Sequence, residues 1–368
     1  DSDESRGLGD VYKRQIHDGK RCKFLMMEEV TWKSPSNIAL VKYWGKYDIQ
    51  IPANPSISFT LSEAATTTTL KYKPGRGALK VFLEGVETPS FEPKIKIFLL
   101  RTLELFPFTS DFDFEVHTYN SFPHSSGIAS SASGMSALAL CLTSIKETLG
   151  LEVLDFFQVA SEAARLGSGS GSRSIYGPLA AWGTHAEIDG SSEHYAVKFK
   201  DVDTVFTTFQ DTILLIDKGE KTVSSTAGHA LMDGHPYAES RFIQAHENQS
   251  VLLTAMLDGD LETFGEVVES EALTLHSMMM TSLPYFVLMK PQTLEVINAI
   301  WRFRKATGNP VYFTLDAGAN VHVLYPKSHK EIILKFIDEE LRTFCKDGSY
   351  LCDEVGFGPM KLNEHDFD

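Results

Sequence analysis

Polar and apolar positions begin to alternate at Glu28, and the pattern from there predicts mostly strands. Ile38–Trp44 is an apolar-rich run, Ser56–Ser62 alternates cleanly, and Thr66–Tyr72 is dense in β-branched residues. Ala78–Leu83 continues the strands, and Glu92–Leu105 has a helical spacing. Asp111–Thr118 alternates again, with Phe112, Phe114 and Val116 on one side. The register breaks at Asn120–Gly127, after which an Ala-rich helix is expected from about Ile128 to Leu149. A second helix, Asp155–Leu166, runs into Gly167-Ser-Gly-Ser-Gly171. Strands are expected at Ala180–Ile188, Tyr195–Phe199 and Thr212–Ile216. Long helical patterns then cover Pro236–Leu257, Leu261–Thr281 and Gln292–Thr307. The strand pair Val311–Leu315 and Val321–Tyr325 flanks the turn Asp316-Ala-Gly-Ala-Asn320. A helix at about His329–Cys345 and a strand near Tyr350–Gly356 follow. With no fixed-period repeat and a mixed order of elements, the prediction is an α+β fold in two lobes, split near residues 200–210.

Length and charge narrow the class. At 368 residues the chain exceeds what one core normally fills, in line with two lobes. The excess of 49 acidic over 34 basic residues, a net charge of −15, argues against a general nucleic-acid binder. No apolar stretch approaches the roughly 18–20 residues of a membrane span. The cysteines, Cys22, Cys141, Cys345 and Cys352, form no C-x-x-C pair and read as reduced thiols. Residues 1–22 are polar and aperiodic. They are expected to be disordered or foreign to the fold, with Met26 or Met27 as the native start, 23–206 as a first domain and 207–368 as a second.

Common nucleotide and hydrolase signatures are missing: no P-loop, no G-x-G-x-x-G after a strand and no G-x-S-x-G. Instead, Pro123-His-Ser-Ser-Gly-Ile-Ala-Ser-Ser-Ala-Ser-Gly134 runs small residues into a helix N-terminus, where free N–H groups and the dipole suit an anion. An ordinary N-capped core helix is the plainer reading of that loop. Gly167-Ser-Gly-Ser-Gly-Ser-Arg173 reads as a linker or as an anion clamp whose arginine grips a carboxylate or phosphate. Lys42, Tyr43 and Lys46 stand at the end of a strand beside Trp44, and Asp316 sits in a turn that favours Asp for backbone reasons. His185, Glu187, Asp189, Glu193 and His194 lack a recognised metal-ligand spacing. Met278–Met280 reads as helix packing and His322 as a satisfied core or edge histidine.

Taken together, four segments in order resemble the diphosphomevalonate decarboxylase family of the galactokinase/homoserine kinase/mevalonate kinase (GHMP kinase) superfamily. They are Ser36-Asn-Ile-Ala-Leu-Val-Lys-Tyr-Trp-Gly-Lys46, the Pro123–Gly134 loop, Gly167–Arg173 and Leu315-Asp-Ala-Gly-Ala-Asn320. The resemblance implies an N-terminal α/β lobe with a serine/glycine phosphate loop and a ferredoxin-like C-terminal α/β lobe. It implies ATP, Mg2+ and mevalonate 5-diphosphate as the small molecules bound, in a cytoplasmic homodimer with no nucleic-acid or membrane partner. By the same resemblance Asp316, Arg173 and Lys42 are catalytic, and Tyr43, Lys46, Ser168, Ser170, Arg173 and Ser225 hold the substrate. Asn120, Gly127, Ala129, Ser130, Ser131 and Ser133 would take the nucleotide, with Ser131 on the metal. The chain departs from the family at His124-Ser-Ser126, Ile128, Tyr47, Pro55 and His229, the last standing where the family has Met. A kinase that stops before decarboxylation and a non-catalytic metabolite binder are the alternatives on the same fold.

Overall fold

The computed structural model describes residues 27–122, 130–219 and 225–363, the side chains of 225 and 226 excepted. The expectations for residues 1–22, Gly127 and Ala129 fall outside that range, as does the side-chain role expected of Ser225.

The strands are β1 (Glu28–Ala39), β2 (Lys46–Tyr47), β3 (Ile51–Pro52), β4 (Ser56–Pro74), β5 (Leu79–Leu83), β6 (Val86–Glu87) and β7 (Phe112–Asn120). They continue as β8 (Leu179–Trp182), β9 (Ala196–Phe199), β10 (Gln210–Leu214), β11 (Tyr312–Thr314), β12 (Val321–Tyr325), β13 (Tyr350–Glu354) and β14 (Met360–Leu362). The helices are α1 (Glu92–Arg101), α2 (Ser130–Thr148), α3 (Phe156–Gly167), α4 (Ser225–Ala230), α5 (Ala238–Asp258), α6 (Leu261–Met280), α7 (Pro291–Thr307) and α8 (Lys330–Phe336).

Two sheets organise most of these elements, and β2 and β3 pair as a separate two-stranded ribbon. The larger runs β14-β1-β4-β7-β5-β6, and β4 also pairs with β8, which pairs with β9; the smaller runs β11-β12-β10-β13. Nearly every pair is antiparallel, β5–β7 being parallel. The alternation read in Ser56–Ser62 and Thr66–Tyr72 belongs to one strand of 19 residues. Its first part pairs with β8 and its second with β7. Between them the Asp353 carboxylate accepts the N–H groups of Ser62, Glu63 and Ala64, satisfying the backbone where the ladder changes partner.

Local chemistry sets the helix ends. Asp155 caps α3 by accepting from Gln158 N–H, and Asp260 caps α6 through Glu262 and Thr263. Gly259 and Gly308, both left-handed at φ 73°, end α5 and α7. The helical pattern expected over His329–Cys345 begins at Lys330 but widens into a π turn at Ile337–Leu341. One core packs Phe98, Leu138 and Ala160 of α1–α3 under the large sheet, and another packs Val296, Ile300 and Ile333 on the small one. A third joins the sheets through Phe59, Phe209, Phe264 and Leu324, so the seam between them is apolar and continuous. The site opens beside that seam.

Candidate active site

The apolar run Ile38–Trp44 is only partly a strand. β1 stops at Ala39, and residues 40–45 leave the sheet to enter a cleft of about 190 Å³. Asn37, Lys42, Tyr43, Lys46, Ser168, Ser170, Arg173 and Asp316 line it, so residues spread over 280 positions meet in one place.

Lys42 is buried, with its Nζ 3.3 Å from Asp316 Oδ1 and donating to Ala39 O at 2.7 Å. Asp316 keeps 29% of its side chain accessible, enough to meet a ligand. Burial pulls the Lys42 ammonium below its ordinary pKa, and the carboxylates of Asp316 and Glu271 act against that pull. The backbone around Lys42 is clamped. Its N–H donates to Glu271 Oε2 at 2.8 Å, and its carbonyl accepts from Arg241 Nη2 at 3.2 Å and Asn54 Nδ2 at 3.0 Å.

Gly167–Arg173 is an ordered turn rather than a linker, continuing α3 into a 3-10 helix over Gly169–Ile175. Gly169 is required there: a Cβ would lie 2.8 Å from the Trp182 ring and 2.9 Å from Tyr43. The turn buries Arg173, whose Nη1 donates to Ser56 Oγ (2.6 Å), Nε to Ser58 Oγ (3.2 Å) and Nη2 to Asn37 Oδ1 (3.3 Å). Burial brings its pKa down to about 10, while Asp316 works to raise it. A guanidinium desolvated among neutral oxygens at a cleft wall is well prepared for a carboxylate.

Around the other wall, Gln50 Oε1 accepts from Lys46 Nζ at 3.1 Å and Tyr43 OH at 3.4 Å. The Tyr43 ring packs edge-on against Trp182, 4.7 Å between centroids, and burial raises its phenol. His229 Nδ1 accepts the Gly45 N–H at 3.0 Å, so its proton is on Nε2; burial lowers its pKa to about 3. On α6, His276 Nε2 donates to the Asp316 carbonyl at 3.1 Å, and burial holds that imidazole neutral with a pKa of about 4.

A second cleft of about 240 Å³ adjoins the first at Ser131 and Lys94. Thr66, Thr68, Asn120 and Ser130 supply its polar atoms, and Val81, Ile95, Val116 and Leu138 its apolar wall. Ser131 Oγ stands 3.4 Å from Ser168 Oγ where the two clefts meet. Ser133, expected on the nucleotide, is instead turned inward: it is fully buried and bonded to Thr66 Oγ1 at 2.6 Å, because that face of α2 packs on β4. Sequence reasoning missed Gln50, Lys94, Arg241, Glu271 and His276 as parts of the site. Asn37 carried only a weak signal, an amide at the edge of the apolar run that begins at Ile38. Glu271 and His276 carried none, since the Lys42 and Asp316 groups they contact lie some 40 to 230 positions away.

The chain matches two family models: the diphosphomevalonate decarboxylase-like N-terminal domain over residues 34–195, and the mevalonate 5-diphosphate decarboxylase C-terminal domain over 212–358. It is 27% identical to the diphosphomevalonate decarboxylase of Danio rerio over 333 residues, covering 85% of this chain and 79% of the relative. The human diphosphomevalonate decarboxylase is likewise 27% identical, over 79% of this chain and 75% of its own. Among solved structures, the mevalonate diphosphate decarboxylase of Staphylococcus aureus superposes with a TM-score of 0.80 at 29% identity, over 92% of this chain and 99% of that one. A complex of MDDEF with MVAPP, AMPPCP and magnesium superposes with a TM-score of 0.79 at 29% identity, over 92% and 100%. An Enterococcus faecalis mevalonate diphosphate decarboxylase follows with a TM-score of 0.78 at 28% identity, over 92% and 100%.

Proposed function

This chain belongs to the diphosphomevalonate decarboxylase family, and on that premise we propose how its two clefts divide the work. The protein is an ATP-dependent carboxy-lyase that converts mevalonate 5-diphosphate to isopentenyl diphosphate in the mevalonate pathway. The observation that carries the reading is the Lys42–Asp316 pair, 3.3 Å apart, in a cleft whose wall also holds Arg173.

Asp316 accepts a hydrogen bond from the 3-hydroxyl and takes its proton as that oxygen receives the γ-phosphoryl group. Lys42 keeps Asp316 ionised and offsets the transferred charge. Arg173 holds the substrate carboxylate. When the phosphate leaves with the C3–O electrons, the electrons of the C1–C2 bond form the C2–C3 double bond and carbon dioxide departs. Tyr43, Lys46, Ser168 and Ser170 line the cleft and bind the diphosphate and carboxylate ends of the substrate, with Ser225 added to them by the family resemblance alone.

The second cleft suits a nucleotide: apolar walls for a base, and hydroxyls and first-turn N–H groups of α2 for phosphates. Asn120, Ser130 and Ser131 line it and form that contact set, Gly127 and Ala129 enter it from the family resemblance alone, and Ser133 supports it through Thr66. Ser131 faces Ser168 with a hard oxygen and is the residue best sited for magnesium. Magnesium, when bound, supplies charge neutralisation for the phosphates in transfer.

Homodimeric assembly and a cytoplasmic setting enter this reading from the family resemblance, and sedimentation of the purified chain tests the first. The acidic net charge of −15 supports the absence of a nucleic-acid partner. The division at residues 206 and 207 is supported by the ends of the two family matches, at 195 and 212. The function is tested by following ADP, phosphate and carbon dioxide released from Mg–ATP and mevalonate 5-diphosphate. Equal amounts of all three are expected; ADP without carbon dioxide turns the reading to a kinase.

A further inference from the structure

Helix α6 touches both members of the central pair, at positions five residues apart and so about 7.5 Å along its axis. Glu271 accepts the Lys42 N–H at 2.8 Å, and His276 donates to the Asp316 carbonyl at 3.1 Å. Glu271 is fully buried and its carboxylate is saturated. Oε1 accepts from Arg241 Nη1 (2.8 Å) and Asn248 Nδ2 (2.6 Å), and Oε2 from Arg241 Nη2 (2.6 Å) as well as Lys42. Arg241 closes the grip by donating to the Lys42 carbonyl. A buried ion pair gains little stability over apolar residues of the same size. What this one adds is an acceptor and a donor aimed at the two peptide groups of a single residue.

We propose that Glu271 and His276 are positioning residues for the reaction, and that α6 acts as a ruler: it holds the Lys42 main chain and the Asp316 carbonyl and thereby sets the ammonium–carboxylate separation. The proposal rests on the functional reading above. Neither residue need touch the substrate; each acts through the peptide it grips. A displacement of about 1 Å in such a pair costs on the order of 10²-fold in rate.

The test compares His276→Leu, His276→Gln, Glu271→Gln and the double variant Arg241→Met/Glu271→Leu, which strands no buried charge. Steady-state kinetics with Mg–ATP and mevalonate 5-diphosphate, melting curves and crystal structures are recorded for each. In His276→Leu, Glu271→Gln and the double variant, kcat falls about 10²-fold while both KM values stay within about threefold. The Lys42 Nζ–Asp316 Oδ1 distance opens beyond hydrogen-bond range in the same three. His276→Gln, whose amide nitrogen stands in for Nε2, recovers most of the rate and the 3.3 Å distance. Lys42 is faced by Asp316, Glu271 and Arg173, with His276 and His322 nearby. Glu271 raises its pKa, so the basic limb of the kcat–pH profile moves down in Glu271→Gln. Variants that melt earlier yet keep kcat, a His276→Gln as slow as His276→Leu, or an unchanged distance would each overturn the proposal. If the wild-type chain releases no carbon dioxide, the functional reading has failed, and the crystallographic distances still decide this one.

Discussion

Lys42 and Asp316 lie 274 residues apart in the chain, yet their charged atoms stand 3.3 Å apart across the seam of the two sheets. One is nearly sealed from solvent and the other is 29% accessible, so a ligand meets the pair from the aspartate side. The cleft is therefore polarised: a buried cation behind, a reachable carboxylate in front, and the Arg173 guanidinium in the wall.

Arg173 is held by Ser56, Ser58 and Asn37 in a geometry that only a planar fork satisfies. Arg173→Lys keeps one charge and loses the fork. The kcat/KM for mevalonate 5-diphosphate is expected to fall about 10²–10³-fold, with ATP affinity by calorimetry held within about threefold.

Gln50 accepts from both Lys46 and Tyr43. Gln50→Leu leaves the two donors unaligned, the loss of about one net hydrogen bond. The KM for mevalonate 5-diphosphate should rise about 3- to 10-fold at unchanged kcat. A variant with unchanged KM would remove Lys46 from the diphosphate contacts.

Gly169→Ala puts a methyl against Trp182 and Tyr43 at under 3 Å. Overpacking of this kind costs about 1–3 kcal/mol. A melting temperature lowered by a few degrees and a raised substrate KM are expected together, because the yielding ring is Tyr43.

Stability should respond to pH from two directions. Burial lowers the His322 pKa, but the Asp211 carboxylate 2.8 Å away outweighs it, so the folded value is above the ordinary imidazole range. That contribution is present in full below about pH 6.5 and lost as pH rises through the folded value. His229 is the reverse case: with a folded pKa of about 3, its contribution is complete above about pH 6.5 and lost as pH falls toward 3. Calorimetric melts should show the advantage of wild type over His322→Gln shrinking on the alkaline side. The advantage over His229→Phe should shrink on the acid side.

Local pattern carried much of this architecture. Val321–Tyr325 coincides with β12, and the helices expected at Leu261–Thr281 and Gln292–Thr307 are found to within a residue of each end. Of the cleft residues, Arg173 carried a local signal, an arginine closing a glycine-serine turn. Lys42 and Asp316 read locally as a strand-end lysine and a turn aspartate, and were legible only through the four ordered motifs of the family resemblance. What pattern does not encode is partnership at long range. The break read between Ser62 and Thr66 is real in the alternation, but Asp353, some 290 residues away, bridges it into one strand. Ser133 belongs to the same serine cluster as Ser130 and Ser131, and only the packing of α2 on β4 turns it inward. Glu271 and Arg241 look like ordinary charges on amphipathic helices until both prove buried against Lys42.

The most direct test of the central claim is Asp316→Asn, assayed for ADP and carbon dioxide together with Mg–ATP and mevalonate 5-diphosphate. The Lys42–Asp316 account predicts that both products are lost, by at least about 10²-fold, while the nucleotide still binds. Undiminished release of carbon dioxide from Asp316→Asn would contradict it.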